Sequence, residues 1–363
     1  MSSSDVDNQS ETLGLARLLD PRKVKLNLLL LLIPVAAYFE YTGQPGLAFI
    51  ASMIAVVPLA WHMGKATEEI AMRTNESIGG LLNATFGNAV EMIIAGLALW
   101  AAYRDPELTE TMIQVVQASL IGSILGNLLL VLGLSFLWGG IHYSTQNFSA
   151  QASQTNGSLL LLALVGLIVP AVFADKASDS SVLRLSHYTA IILLGVYGLH
   201  LLFQLKTHVK LFSTEVHHDQ VPDLSTKEAL TLLIVATILV AWMAEILVGS
   251  ISHAADDYGL PTLFIGVILL PVVGNAAEHF TAVIVAKKDM MDLSVGIAIG
   301  SSIQIALFVA PIMILFGWVL GVPLTLKFGM FETMVTFLAV LVANFIIQDG
   351  ESNWLEGAML LAT

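Results

Sequence analysis

The amino-acid sequence predicts an all-α polytopic membrane protein, and three observations on its 363 residues carry that expectation. Charged residues make up 12% of the chain and hydrophobic ones 56%, whereas about a quarter of a soluble domain is charged. Ten apolar runs reach or approach the length of a membrane helix, which needs roughly 20 residues. A fourteen-residue stretch also occurs twice, the mark of an internal duplication.

The second copy contains Gly274-Asn275-Ala276-Ala277-Glu278 and the first Gly87-Asn88-Ala89-Val90-Glu91. Laying residues 78–91 over 265–278 pairs Ile78 with Ile265, Gly79 with Gly266, Leu82 with Leu269, and Gly87, Asn88, Ala89 and Glu91 with Gly274, Asn275, Ala276 and Glu278. Seven identities in fourteen ungapped positions exceed what two unrelated apolar helices share. In each copy Asn and Glu are three apart and Gly and Glu four apart, so a helix places an amide, a carboxylate and bare backbone on one face. A carboxylate inside an apolar run is costly to ionise unless it meets a cation or a proton, which points Glu91 and Glu278 toward ion transport. The bland alternative is a protonated side chain bonding a neighbouring helix; two copies in matching motifs favour the functional reading. Calcium takes six to eight hard oxygen ligands, and two carboxylates supply the balancing charge.

In chain order, residues 1–25 are expected to form a cytosolic N-terminal tail, Ser- and Asp-rich, with Leu13, Leu15, Leu18 and Leu19 as its apolar patch and no signal-peptide pattern. Spans follow at about 26–43, 46–64, 78–103, 111–138, 157–174, 186–205, 229–251, 260–286, 293–319 and 330–348, and an eleventh begins at Trp354 and is incomplete at Thr363. With the N-terminus inside, Arg17, Arg22, Lys23, Lys25, Lys65, Arg73, Lys206, Lys210, Lys227, Lys287 and Lys288 are cytosolic, eleven of the 15 basic residues. Arg104, Lys176, Arg184 and Lys327 fall outside, with Asp105, Glu107, Glu110, Asp175, Asp179, Asp256 and Asp257. The linker 206–228 is the long polar stretch, with Glu215, His217, His218, Asp219 and Asp223. A solvated connector is its plain reading. Ser225 and Glu228 predict a capping box opening the seventh helix.

The double Gly-Asn-x-x-Glu signature, with the Gly-Ser helices after each copy, resembles the cation/proton exchangers of the calcium/cation antiporter superfamily over nearly the whole chain. The resemblance implies about eleven transmembrane helices, a peripheral first helix (26–43) plus two inverted-topology five-helix repeats, 46–205 and 229–363, within a single transport domain 26–363. Gln117-Ala118-Ser119-Leu120-Ile121-Gly122-Ser123 and Ser294-Val295-Gly296-Ile297-Ala298-Ile299-Gly300-Ser301 align at Gly122 with Gly300 and Ser123 with Ser301. The resemblance places Ser123, Asn127, Ser301 and Gln304 along the site; Ser and Asn serve as often in helix packing. It also allows the linker an acidic helix that attracts or senses cytosolic calcium.

Gly87, Gly274, Pro271 and Pro311 weaken the helical ladder, and freed carbonyls at such breaks can coordinate a cation. Glu245, within Ala241-Trp242-Met243-Ala244-Glu245, is read as deep in the seventh helix and resembles Glu69 in the second; each is a candidate access group for protons or cations, or an interhelical hydrogen bond. His279 has Met92 as its repeat counterpart and is either a packing residue or a tuner of Glu278.

Other chemistries fail on the residues. The chain has no cysteine, hence no disulfide or thiolate metal site, and its net charge of −13 argues against nucleic acid. It lacks the His-Glu-x-x-His, P-loop and Gly-x-Ser-x-Gly patterns. The sequence therefore predicts a secondary antiporter and not an enzyme, needing no cofactor, moving Ca²⁺ out of the cytosol against H⁺ through the bilayer. Sodium/calcium exchange is the nearest rival. The family's sodium-coupled relatives carry an acidic residue in the following helix, where this chain has Asn127 and Gln304. A cation channel is the rival from another class, and an inverted repeat within one chain suits alternating access better. The expected location is a prokaryotic plasma membrane, or a vacuolar membrane in a eukaryote.

The orientation is testable because the chain is free of cysteine. A single cysteine beside Lys288 is expected to react with an impermeant maleimide only from the cytosolic side, and one beside Asp257 only from outside; labelling at Lys288 from outside overturns the topology.

Overall fold

The computed structural model describes residues 14–74, 76–174, 176–212 and 222–363; of the residues named above, Leu13, Asp175, Glu215, His217, His218 and Asp219 lie outside the described ones. Helices dominate because apolar segments in hydrocarbon must satisfy their own backbone N–H and C=O groups. A 3₁₀ segment, Lys25–Leu31, leads into α1 (Leu32–Tyr41), followed by α2 (Pro45–Ala71), α3 (Glu76–Phe86), α4 (Ala89–Arg104) and α5 (Pro106–His142). Next come α6 (Ala150–Ala174), α7 (Asp179–Thr207), α8 (Thr226–Gly249), α9 (Ile251–Tyr258), α10 (Thr262–Gly274) and α11 (Ala276–Lys287). The chain continues through α12 (Met291–Leu320), α13 (Met330–Ile346) and α14 (Trp354–Ala362).

Among the described residues six helices, α2, α5, α6, α7, α8 and α12, are long and apolar enough to cross a membrane, and α10 with α11 makes a seventh candidate bent by 61°. Shorter helices stand at the other expected spans, the third being divided into α3 and α4 at Gly87 and Asn88. Only 17% of the most apolar window of α7 is buried, against 67% for α2. That apolar surface requires lipid as its solvent.

The helices gather into two compact units, each drawing on both halves of the sequence. In the first, which spans 14–94 and 222–259, α2 packs along α8 and α1 lies on α2. Gly46 at the start of α2 lets α9 approach, because a Cβ there would lie 2.8 Å from Asp257 Oδ2. At the other end of α2 the polar groups are tied together. The His62 Nε2 bonds the buried Asn27 Oδ1 (2.9 Å), and Asn27 Nδ2 donates to Leu18 O (2.8 Å). Glu69, fully buried, pairs with Lys65 (3.1 Å) and accepts from the backbone N–H of Asp223 (3.3 Å) and Leu224 (3.1 Å). Arg73 donates to Leu224 O. The expected capping box is present: Glu228 N donates to Ser225 Oγ and Ser225 N to Glu228 Oε2.

In the second unit, 95–212 and 260–363, α5 packs against α10 with glycines at the crossing. Helix α12 is flanked by α7, where His187 stacks on Trp318 (4.5 Å) and Tyr197 on Phe308 (5.1 Å). Strand β1 (Gln146–Asn147) pairs antiparallel with β2 (Glu351–Ser352). The buried Gln146 donates through Nε2 to Ala286 O (2.9 Å) and Asp289 Oδ1 (2.8 Å), fixing the end of α11. Helix α14 opens on a capping box of Asn353 and Glu356 and seats Gly357 against the backbone of Gly133 and Leu137.

Removing the Glu69 carboxylate leaves two backbone donors without their acceptor and takes one of its carboxylate partners from Lys65, which keeps Glu68. Glu69→Ala is expected to lower stability by roughly 1–3 kcal/mol, read as a lower melting temperature in detergent. Calcium affinity in the folded fraction should be unchanged; loss of affinity at an unchanged melting temperature would make Glu69 an ion-handling residue instead.

A candidate cation-binding site at two helix breaks

Each copy of the repeated motif lies at an interruption between two helices. In the first unit, Gly87 and Asn88 separate α3 from α4, and Glu91 falls in the first turn of α4. Gly87 N still donates to Asn83 O (2.8 Å) and Met92 N to Asn88 O (3.1 Å), so the break costs little hydrogen bonding. The Asn88 side chain is fully buried, and both carboxylate oxygens of Glu91 are buried. In the second unit, Asn275 divides α10 from α11 at the 61° bend, and Glu278 falls in the first turn of α11. Pro271 weakens the helix there by lacking the N–H that Val267 O would receive in a regular turn. A helix N-terminus carries a partial positive charge, so both carboxylates stand where an anion is favoured.

The second unit shows how the polar residues after each motif are used. Asn275 Nδ2 donates to Ser123 Oγ (3.2 Å) of α5 and to Pro271 O (3.1 Å). Glu278 is hydrogen-bonded to Ser301 of α12, and Asn127 Nδ2 of α5 donates to the same Ser301 Oγ (2.9 Å). Ser123, Asn127, Asn275, Glu278 and Ser301 are thus brought together in two linked chains, all but Glu278 nearly inaccessible as whole residues. Among the described residues, Asn275 Oδ1 and Glu278 Oε2 are buried oxygens without a hydrogen-bond partner. An unpaired buried acceptor is expensive, and a hard cation or a proton supplies what each lacks.

Gln304 is half-buried and lies where α12 passes from α-helical to π-helical winding. Gly274 is buried in the last turn of α10, and Gly87 is half-buried. His279 is half-buried, its Nε2 without a partner among the described residues. Glu69 is engaged at the end of α2 by Lys65 and two backbone N–H groups. Glu245 lies one turn before the end of α8 at Gly249 and is exposed.

Sequence reasoning did not find the π-helical turns. Among the described residues they occupy Gly126–Val131 in α5, Phe203–Thr207 in α7, Ile265–Leu269 in α10 and Ile305–Val309 in α12, and the alignment of Gly122 with Gly300 carries the first, as 304–309, onto the last. The duplication therefore extends to an irregularity of the backbone, of a kind frequent at functional sites. Only the Gly-Ser alignment hinted at it, since no residue pattern separates a π-turn from an α-turn.

Comparison with known proteins accords with this geometry. The profile of the sodium/calcium exchanger protein family matches residues 45–206 and 228–363. A Ca(2+)/H(+) antiporter of Aphanothece halophytica is 43% identical over 354 residues, covering 92% of each chain. One of Synechocystis sp. is 44% identical, over 94% of this chain and 95% of that one. Among solved structures, native YfkE superposes with a TM-score of 0.78 at 39% identity, over 91% of this chain and 93% of the other. By the match along both stretches and this likeness over nearly the full length, the chain belongs to the sodium/calcium exchanger protein family.

Proposed function

We propose that this membrane protein is a secondary antiporter that exports Ca²⁺ from the cytosol in exchange for H⁺. The observation that carries the reading is the pair of buried glutamates, Glu91 and Glu278, each in the first turn beyond a break in a repeated motif. The inverted repeat expected from the sequence brings two such residues to one depth of the bilayer. The names of relatives at 43% and 44% identity, Ca(2+)/H(+) antiporter, and the 39% likeness to YfkE support it.

With both carboxylates ionised and Ca²⁺ bound, the site is neutral. With both protonated it is neutral again. The empty ionised site carries two negative charges into low dielectric, a state too costly to cross, so transport in one direction requires transport in the other. Amides and hydroxyls from Asn88, Asn275, Ser123, Asn127, Ser301 and Gln304, with backbone carbonyls near Gly87 and Gly274, supply the remaining oxygens. Protonation removes the charge that holds the cation, and so protons and calcium compete. Sodium/calcium exchange remains the second reading; the amides at Asn127 and Gln304, where that branch carries a carboxylate, favour protons. The positive-inside distribution supports a cytosolic N-terminus, and a prokaryotic plasma membrane is the proposed location. The linker 206–228 is proposed to modulate the response to calcium and to stay apart from the transported ion.

Glu91→Gln and Glu278→Gln each keep the shape and remove one charge, leaving a bound divalent ion with an uncompensated positive charge. Each is expected to lose roughly 3 kcal/mol or more of binding, a hundredfold or greater fall in calcium affinity. Because calcium displaces protons, wild-type binding should release protons and weaken as pH falls. Isothermal calorimetry in two buffers and exchange in proteoliposomes check both points. Parental exchange in either folded variant, or calcium binding that ignores pH, would place the site elsewhere.

A further inference from the structure

Helices α12 and α13 of the second unit are joined by residues 321–329, which belong to no helix or strand. Val322, Leu324, Leu326 and Phe328 are buried, while Pro323, Lys327 and Gly329 are exposed, the alternation of an extended strap with one face inward. Extended backbone packed among membrane helices lacks the internal hydrogen bonds of a helix, so its polar groups need partners from elsewhere. Side chains supply them. Gln117 Nε2 of α5 donates to Thr325 O (2.8 Å) and Lys327 O (3.2 Å), and Leu326 N donates to the fully buried Ser186 Oγ of α7 (3.0 Å). Phe328 lines a small cavity together with Ile121, one turn beyond Gln117 on α5.

At its start the strap is folded onto α12 itself. Gly321, at φ +77°, turns the chain back in a conformation that glycine adopts without a Cβ penalty. Val322 N donates to Gly317 O (2.9 Å), and a Cβ on Gly317 would lie 3.1 Å from Leu324 Cβ. The strap is therefore an extension of α12, and Gln117 fastens it to α5. The same two helices meet again at the candidate site, where Asn127 Nδ2 donates to Ser301 Oγ (2.9 Å). Asn127 follows Gln117 on α5 by ten residues, about 15 Å of helix. Helix α5 is thus held to α12 at two depths, once through the strap and once at the site.

We propose that Gln117 is a positioning residue for the cation site: by gripping the strap 321–329 it sets where α5 stands along α12, and with it where Ser123 and Asn127 meet Asn275 and Ser301. Gln117 holds no ion. Its amide occupies the two strap carbonyls and transmits their position to the polar groups of α5. Ser186 holds the same strap from α7, a helix that contributes no residue to the site, so the two ties have different consequences. The inference deepens the antiport reading and rests on it for the bound ion.

The test compares Gln117→Met, which keeps the length of the side chain and removes both donors, with Ser186→Ala. Calcium binding is measured by isothermal calorimetry in detergent at several pH values, beside the melting temperature. A reporter cysteine, Leu326→Cys, is placed in the otherwise cysteine-free chain, because Leu326 is fully buried in the strap. Alone it is expected to be silent to a water-soluble maleimide. Adding Gln117→Met should raise its labelling about tenfold or more as the released strap samples open states. Calcium affinity should fall about tenfold, and the form of its pH dependence should stay parental because both carboxylates remain. Ser186→Ala should lower the melting temperature and keep calcium affinity within about twofold, since one lost hydrogen bond on α7 leaves the grip on α5 in place.

A folded Gln117→Met that binds calcium as the parent does overturns the proposal, and so does one that leaves Leu326→Cys silent. Ser186→Ala losing as much affinity as Gln117→Met overturns it too, because the strap would then act through general stability. Should Gln117→Met fail to fold, Gln117→Asn, one methylene shorter with its donors kept, takes its place under the same two outcomes. A parent that binds no calcium would sink the antiport reading, while the labelling of Leu326→Cys would still decide whether Gln117 holds the strap.

Discussion

The structure turns on the cost of an ionised carboxylate out of water. Burial of Glu91 and Glu278 at membrane depth is tolerable only if something offsets the lost hydration. The chain provides three things near Glu278: the N-terminus of α11, the hydroxyl of Ser301 and an adjacent amide at Asn275. None neutralises the charge. On the proposed reading the shortfall is met by an ion that arrives and leaves; among the described residues, Asn275 Oδ1 and Glu278 Oε2 are the buried oxygens near it without a hydrogen-bond partner.

That constraint explains the interruptions. A continuous helix through Asn275 would leave no helix N-terminus inside the bilayer, and the 61° bend between α10 and α11 creates one. Pro271 serves the bend and also withholds an N–H from Val267 O, the carbonyl that faces Gly122. A single residue thus links the local geometry of the carboxylate to the packing of α5. Small residues are placed where neighbours come close, at Gly122 and Gly357 against backbone and at Gly266 against the Ala118 side chain, and nothing larger fits there.

Around this centre the polar contacts are fixed and local. Gln146 holds the end of α11 through Ala286 O, and Glu69 holds the end of the linker through the N–H groups of Asp223 and Leu224. The Gln146 amide N–H groups and both Glu69 carboxylate oxygens are met, which makes these contacts anchors. Among the described residues, Glu278 differs from Glu69 because it keeps a buried carboxylate oxygen unmet. Burial alone would not have separated Glu69 from Glu278; the count of partners does.

The sequence by itself determined the membrane class, the duplication and the pairing of Glu91 with Glu278, because composition and an ungapped repeat are properties of residue order. It also determined the capping box at Ser225 and Glu228, since the three-residue spacing is local. Tertiary structure decided the rest. Glu245 and Glu69 read alike in sequence, yet one is exposed near a helix end and the other is enclosed by backbone donors 154 and 155 residues away. Ser123 and Asn127 became partners of Asn275 and Ser301 through contacts 152 and 174 residues distant, which no periodicity encodes. Gly122 receives the backbone of α10 at Val267, which residue order does not announce, because a glycine shows only that a close approach is allowed. Which approach is made depends on the helix that arrives, and that is settled by packing.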